Sequence, residues 1–300
     1  MKRYKVYQVD AFTDAMFQGN PAGVVLDADG LTEADMQNVA RELNNSETAF
    51  LFSCDDQGCD GELRYFTPKV EVPTCGHATI AAMYVKALES GLGDCVLNMK
   101  TKIGVLPMRV ERKPDGFRIS MTQGRFEILR TLSPDERGEL CEALSLADAD
   151  LDRRCPVQVV STGHSKVMIG ITGRDRLNRI VPDNERLSRL SGRIGCNGYF
   201  VFTFDTDREG VLTEGRMFAP AIGINEDPVT GNANGPLGGY LLANGITDHG
   251  DGVFRFTGFQ GEAMHRPGKV DVEVTHEKGS PREVRISGGA VIVFKTEIWM

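Results

Sequence analysis

Pro73-Thr74-Cys75-Gly76-His77-Ala78-Thr79-Ile80-Ala81-Ala82 is the stretch on which the reading of this chain turns. A proline and small residues lead into Cys-Gly-His. Ala78, Ile80, Ala81, Ala82, Met83 and Val85 then form a small, apolar run. That is the pattern of a turn entering a buried helix. The first turn of a helix leaves backbone N–H groups without partners inside the helix. Gly76 lets a ligand approach that backbone, and the helix start favours a carboxylate or phosphate. His77 stands at its mouth.

The pattern returns at Pro228-Val229-Thr230-Gly231-Asn232-Ala233-Asn234-Gly235-Pro236-Leu237. Pro73 aligns with Pro228, Cys75 with Thr230, Gly76 with Gly231, His77 with Asn232 and Ala78 with Ala233. The lead-ins also match, Arg64-Tyr65-Phe66-Thr67-Pro68 against Arg216-Met217-Phe218-Ala219-Pro220. Two matches in the same order, half a chain apart, imply an internal duplication. The plainer alternative is two unrelated turns before buried helices.

A chain of 300 residues suits two domains, of about 150 residues each. Its 41% hydrophobic and 25% charged residues are ordinary for a globular protein. The net charge of −8 with no Lys/Arg-rich run disfavours a nucleic-acid partner and reads as a solubility feature. No signal-peptide core follows Met1-Lys2-Arg3, and no apolar run approaches the roughly 20 residues of a membrane span. The seven cysteines are odd in number and scattered, with no Cys-x-x-Cys pair. Neither a zinc site nor a disulfide framework is expected, and a reducing cytoplasm fits. No glycine-rich nucleotide fingerprint and no Gly-x-Ser-x-Gly elbow occurs, so a nucleotide or nicotinamide cofactor and a serine hydrolase are disfavoured.

Strands are expected at 4–12, 24–26, 49–52 and 63–66, with a helix over 33–43 capped by Thr32. After the helix that begins at Cys75-Gly76-His77, hairpin strands are expected at 96–99, 104–111 and 117–121. A linker is expected within 123–133, and a helix after Ser133-Pro134. The second half repeats the order, with strands near 157–163, 167–171, 199–204 and 215–218 before the second turn and helix. The closing stretch 290–294 is strongly apolar and is expected to be buried. Strands wrapped about one long helix, twice over, point to an α+β fold.

Ser46-Glu47-Thr48 lies at a helix-to-strand junction, where a glutamate is more often a solvated end or a cap partner than a catalytic group. Glu226-Asp227 precedes the second turn, where a carboxylate is stabilised by the helix dipole; simple capping by Asp227 is the plainer reading. A two-fold duplication is expected to aim both helix starts into a cleft between the domains, suited to a small carboxylate ligand with acid–base groups on both sides. His164 reads as a structural turn histidine. His249, His265 and His276 lie in polar surroundings and are expected to be exposed.

Val9-Asp10-Ala11-Phe12-Thr13, Gly19-Asn20-Pro21-Ala22-Gly23-Val24, Ser46-Glu47-Thr48-Ala49-Phe50, Cys75-Gly76-His77-Ala78-Thr79 and Glu226-Asp227-Pro228-Val229-Thr230-Gly231 occur in this order. In them the chain resembles, over essentially its whole length, the phenazine-biosynthesis PhzF-like isomerases of the diaminopimelate-epimerase fold, and it looks closest to an uncharacterised bacterial branch. The resemblance implies two similar pseudo-duplicated domains, each a barrel-like, mostly antiparallel sheet around a central helix. One spans 1–122 and is joined by the last strand, 288–300; the other spans 123–287. It implies Glu47 as the acid/base, His77 and Asp227 as assisting groups, and no metal or organic cofactor. Ser46, Cys75, Gly76, Ala78, Thr230, Gly231 and Asn232 are the expected substrate-binding positions. Asn232 stands where the family has a serine, and an amide cannot relay a proton as a hydroxyl does. Epimerases of this fold use two cysteines, one per half; here Thr230 stands against Cys75, which disfavours a two-thiol racemase.

The expected function is a cofactor-independent isomerase moving a proton within a small carboxylate-bearing substrate, in a cytoplasmic protein, with homodimerisation open. The alternatives are an epimerase or dehydrating lyase acting α to a carboxylate, and a small-molecule binding protein without chemistry.

Overall fold

The structure, a computed structural model, describes residues 1–247 and 252–300. His249 lies outside the described residues. The chain forms two compact units, 1–122 with 287–300, and 123–286. In chain order the elements are β1 (Arg3–Ala11), β2 (Asn20–Leu26), α1 (Glu33–Leu43), β3 (Thr48–Phe52), β4 (Gly61–Phe66), β5 (Glu71–Val72), α2 (Gly76–Glu89), β6 (Cys95–Thr101), β7 (Gly104–Lys113) and β8 (Gly116–Thr122). There follow β9 (Glu127–Thr131), α3 (Pro134–Ala143), β10 (Gln158–Ser161), β11 (Lys166–Ile171), α4 (Arg174–Asn178), α5 (Asn184–Ile194), β12 (Tyr199–Thr203), β13 (Thr213–Ala219) and β14 (Ile224–Asp227). The chain closes with α6 (Gly231–Ala243), β15 (Gly252–Gln260), β16 (Gly268–Glu277), β17 (Ser280–Gly288) and β18 (Ala290–Trp299).

Local chemistry sets the helix ends. Thr32 and Asp35 form a reciprocal capping box on α1, and Ser133 and Glu136 do the same on α3, with Pro134 in its first turn. Helix α2 has no polar face: ten of its 14 residues are buried, so it must be covered on all sides. It packs against β1, β2, β3, β7, β8 and β18. In α6, 11 of 13 residues are buried, and it packs against β10, β15 and β16.

The first unit's strands pair in the order β18–β1–β2–β3–β4–β6–β7–β8, with β5 on β4. The pairs β2–β3 and β4–β6 are parallel and the rest antiparallel. In the second unit the order is β9–β10–β11–β12–β13–β15–β16, with β14 on β13. Here β11–β12 and β13–β15 are the parallel pairs. From β18 to β7 in the first order and from β9 to β16 in the second the strands correspond one for one, which is the duplication expected from the two signature turns.

The correspondence extends to side chains. Arg64 on β4 makes a two-pronged pair with Glu71 on β5, and Arg216 on β13 does the same with Glu226 on β14. Each guanidinium also lies over a phenylalanine two residues on, 5.3 Å from Phe66 and 5.0 Å from Phe218. Arg216 further donates to the backbone oxygens of Leu177 and Ile180. The clips fix the short strand that feeds each signature turn.

Four expectations are corrected. Part of the expected linker is strand β9, which pairs antiparallel with β10 from Thr131↔Gln158 to Glu127↔Ser161. Cys54 and Cys59 are joined in a disulfide, because the β3–β4 loop doubles back and brings their Cα atoms to 6.0 Å. The closing stretch is covered only in part: Ala290 is buried, Val291 to Val293 are partly covered, and Phe294 is 50% exposed. His276 is buried, while His265 is exposed. His276 falls in β16 on the inward register with Val270, Val272 and Val274, and its polar sequence neighbours face the other way.

Arg64, with help from Lys102, holds the Glu71 carboxyl below the usual glutamate range. The folded value lies under the unfolded one, so this stabilisation is complete above the unfolded pKa of about 4.3 and is lost as pH falls toward the folded value. We expect Glu71→Gln to cost about 1–2 kcal/mol at neutral pH, and its urea-unfolding curve to show a shallower acid decline than wild type. Parallel acid declines would remove the clip from the stability account.

Candidate active site

Helix α1 ends in Asn44, whose left-handed backbone (φ 53°) turns the chain toward β3. Asn45 is held by reciprocal amide bonds to Gln8 on β1, both 2.9 Å. The Glu47 carbonyl accepts from Gly23 N–H on β2. These contacts fix the backbone on both sides of Ser46 and Glu47. The start of α2 is fixed independently: the Thr79 hydroxyl donates to the Cys75 carbonyl at 2.6 Å and meets the Tyr65 hydroxyl at 2.7 Å.

The two fixed pieces bring four of the expected residues together. His77 Nε2 lies 3.4 Å from Glu47 Oε2 and 3.3 Å from Ser46 Oγ. The other ring nitrogen, Nδ1, lies 3.5 Å from Cys75 Sγ. The Glu47 side chain is 13% exposed and that of His77 7%. Proton-bearing and proton-accepting atoms thus run in line from thiol through imidazole to carboxylate. Glu47, Cys75 and His77 each place a donor atom within 4.8 Å of the others. The imidazole nevertheless turns different nitrogens to the two partners, which suits a hydrogen-bonded relay better than ligands converging on one ion. Gly76 and Ala78 are buried in the first turn of α2 and contribute backbone only.

In the second unit Asp227 ends strand β14, paired with Met217 on β13. Thr230, not Asp227, is the N-cap residue of α6, and the Thr230 hydroxyl donates to Asp227 Oδ2. Gly231 is buried at the first helical position. Asn232 Oδ1 accepts from Gln123 Nε2 at 3.1 Å, and that amide also donates to the Gly231 backbone carbonyl. Gly235 makes this possible, since a Cβ there would lie 2.1 Å from Gln123 Oε1. Asn232 is therefore an anchored amide. His164 is partly buried on the turn before β11.

The model of the family described as phenazine biosynthesis-like proteins matches residues 9–296. The chain belongs to this family. An uncharacterised isomerase of Clostridium acetobutylicum is 50% identical over 298 residues, 99% of each chain. The trans-2,3-dihydro-3-hydroxyanthranilate isomerase of Pseudomonas fluorescens is 30% identical, covering 94% of this chain and 95% of its own. The crystal structure of a Bacillus anthracis PhzF-family protein is 33% identical, covers both chains fully and superposes with a TM-score of 0.88. The fold is of the diaminopimelate-epimerase type that the family resemblance implied.

Sequence reasoning missed the residues that hold this phenazine biosynthesis-like protein's second helix start in place. Gln260, 1% exposed at the end of β15, accepts from Thr230 N–H (3.0 Å) and from Asn234 Nδ2 (3.2 Å). It donates to the Asp227 carbonyl at 2.7 Å and to Thr230 Oγ1 at 3.1 Å. A glutamine closing a strand carries no local signal of such a role. Removing its amide strands several buried groups at once, so Gln260→Leu is expected to cost at least about 2 kcal/mol. Amide exchange should rise first in the opening turn of α6. Unchanged urea stability would deny Gln260 this function.

Proposed function

We propose that the protein is a cofactor-independent isomerase that moves a proton within a small carboxylate-bearing substrate. The observation that carries the reading is the Glu47–His77 contact at 3.4 Å, built on two independently anchored backbones. Glu47 takes a proton from a substrate carbon, the electron pair spreads into the adjacent π system, and the same carboxyl returns the proton at another carbon. Nothing is gained or lost, so no co-reactant is needed. His77 orients the Glu47 carboxylate. Asp227, hydrogen-bonded through Thr230, is assigned to a hydroxyl or amino group of the substrate. The first turns of α2 and α6 are assigned to an anionic group, which a helix start favours. The Pseudomonas fluorescens relative is named as an isomerase of trans-2,3-dihydro-3-hydroxyanthranilate, a cyclic amino acid.

A second reading has its own support: the Cys75 thiol, 3.5 Å from His77 Nδ1, as the base of an epimerase. Against it, the matching place in the second unit holds Thr230, whose hydroxyl is given to Asp227.

Deuterium wash-in from D₂O into a library of amino, hydroxy and dihydroaromatic acids, read by mass spectrometry, separates these. Glu47→Gln is expected to lower exchange by about a hundredfold or more, while Cys75→Ala retains it. The reverse pattern would transfer the chemistry to Cys75, and exchange in neither wild type nor variants would favour a binding protein.

A further inference from the structure

A helix commonly begins on a side chain that accepts a first-turn N–H. Cys75 and Thr230 hold the N-cap positions of α2 and α6, and neither side chain makes that bond. Each is turned to a titratable group instead. The Thr230 hydroxyl donates to Asp227 Oδ2, and the Cys75 sulfur lies 3.5 Å from His77 Nδ1. In the second unit the direction of the bond is forced, because a carboxylate only accepts. The acid of the first unit is not repeated there. Gly23 N–H donates to the Glu47 carbonyl between the parallel strands β2 and β3, and Val167 N–H donates in the same way to the Gly198 carbonyl between β11 and β12. What both units keep is an N-cap side chain spent on a neighbouring side chain and not on its own helix.

In the first unit the direction follows from the far side of the imidazole. Cys75 and His77 are both buried, so the ring nitrogens take their partners from the protein. Nε2 faces Glu47 Oε2 at 3.4 Å and Ser46 Oγ at 3.3 Å. A neutral imidazole carries one hydrogen, and its other nitrogen accepts. As the base of the proposed reaction Glu47 is a carboxylate, which repels a lone pair turned toward it. The hydrogen therefore belongs on Nε2, where Glu47 and Ser46 both offer oxygens to receive it. Nδ1 is left as the acceptor, and the thiol facing it has a hydrogen to give. A thiolate at Cys75 would draw a hydrogen onto Nδ1, so the protonation of the sulfur decides the tautomer of the ring.

We propose that Cys75 is a positioning residue whose thiol stays protonated, donates to His77 Nδ1 and so fixes the imidazole with its hydrogen on Nε2, aimed at Glu47. The assignment rests on the isomerase reading for the ionised state of Glu47 and deepens it. The thiol takes no proton from the substrate and forms no bond to it. It acts through the ring, by keeping a donor in front of the carboxylate that does the chemistry.

The test uses the full-length protein with ¹⁵N-labelled histidine at neutral pH, the His77 ring being assigned by its loss in His77→Asn. Wild type is expected to carry the ring hydrogen on Nε2 and to show an Nδ1 signal displaced by an accepted hydrogen bond. Cys75→Ala removes no helix cap, and in it the Nδ1 signal is expected to move toward that of an unbonded nitrogen. Ultraviolet thiolate absorbance is expected to be the same in both proteins. In the deuterium wash-in, Cys75→Ala is expected to lower kcat about threefold to tenfold, the worth of one hydrogen bond, with KM unchanged. A hydrogen on Nδ1 in the wild type, thiolate absorbance lost with Cys75→Ala, ring signals unmoved by that substitution, an unchanged kcat, or a loss confined to KM would each overturn the proposal. The spectra need no substrate, so the underlying function is read separately. Exchange into an acid with ring signals unmoved defeats the assignment of Cys75 alone, and the expected spectra without exchange into any acid defeat the isomerase reading alone.

Discussion

A helix that is apolar on every side has to be enclosed, and α2 and α6 are two such helices. Each burial demands strands on all sides, which is why a sheet wraps each one. Enclosure also decides where polarity can appear. With most of the helix sealed, its first-turn N–H groups are left to be satisfied at the turn that begins it, and that turn becomes a place where a ligand can be met. The Arg64–Glu71 and Arg216–Glu226 clips belong to the same constraint. They fix the short strand before each turn, and so set the position of the helix start within its unit.

The two units share this frame and differ in the chemistry hung on it. In the first, Glu47 stands beside His77, with Cys75 behind the imidazole. In the second, Glu47 is replaced by Gly198 and His77 by an anchored Asn232, while Asp227 appears where Val72 stands. Duplication followed by such divergence gives a frame whose halves no longer need the same groups. A symmetric two-base reaction is then less natural than one in which a single carboxylate carries the proton.

Much of this was legible in the sequence, for physical reasons that can be named. The all-apolar run after Cys75-Gly76-His77 is a strong signal because it does not depend on a partner, and its echo at Thr230-Gly231-Asn232 exposed the duplication. Glu47 was placed correctly at its junction because α1 has a complete capping box and a left-handed Asn44 to end it. Strand β9 was not legible: its side chains are mostly exposed, so it shows no alternation, and it is defined by its pairing to β10. The disulfide was hidden because loop closure, not spacing alone, brings Cys54 to Cys59. Gln260 was invisible because its role arises from which strand lies next to which, and a sequence read one element at a time does not contain that adjacency.

The central claim is that one carboxylate, Glu47, both removes and returns the proton. The most direct measurement is a single turnover, in ordinary water, of a substrate carrying deuterium at the carbon that loses its proton. A single carboxyl shielded from solvent must deliver part of that deuterium to the receiving carbon of the same molecule, and Glu47→Gln must deliver none. Complete loss of the label to water in the wild-type product, at every temperature and pH at which turnover occurs, would mean that a second group supplies the proton and would contradict the account.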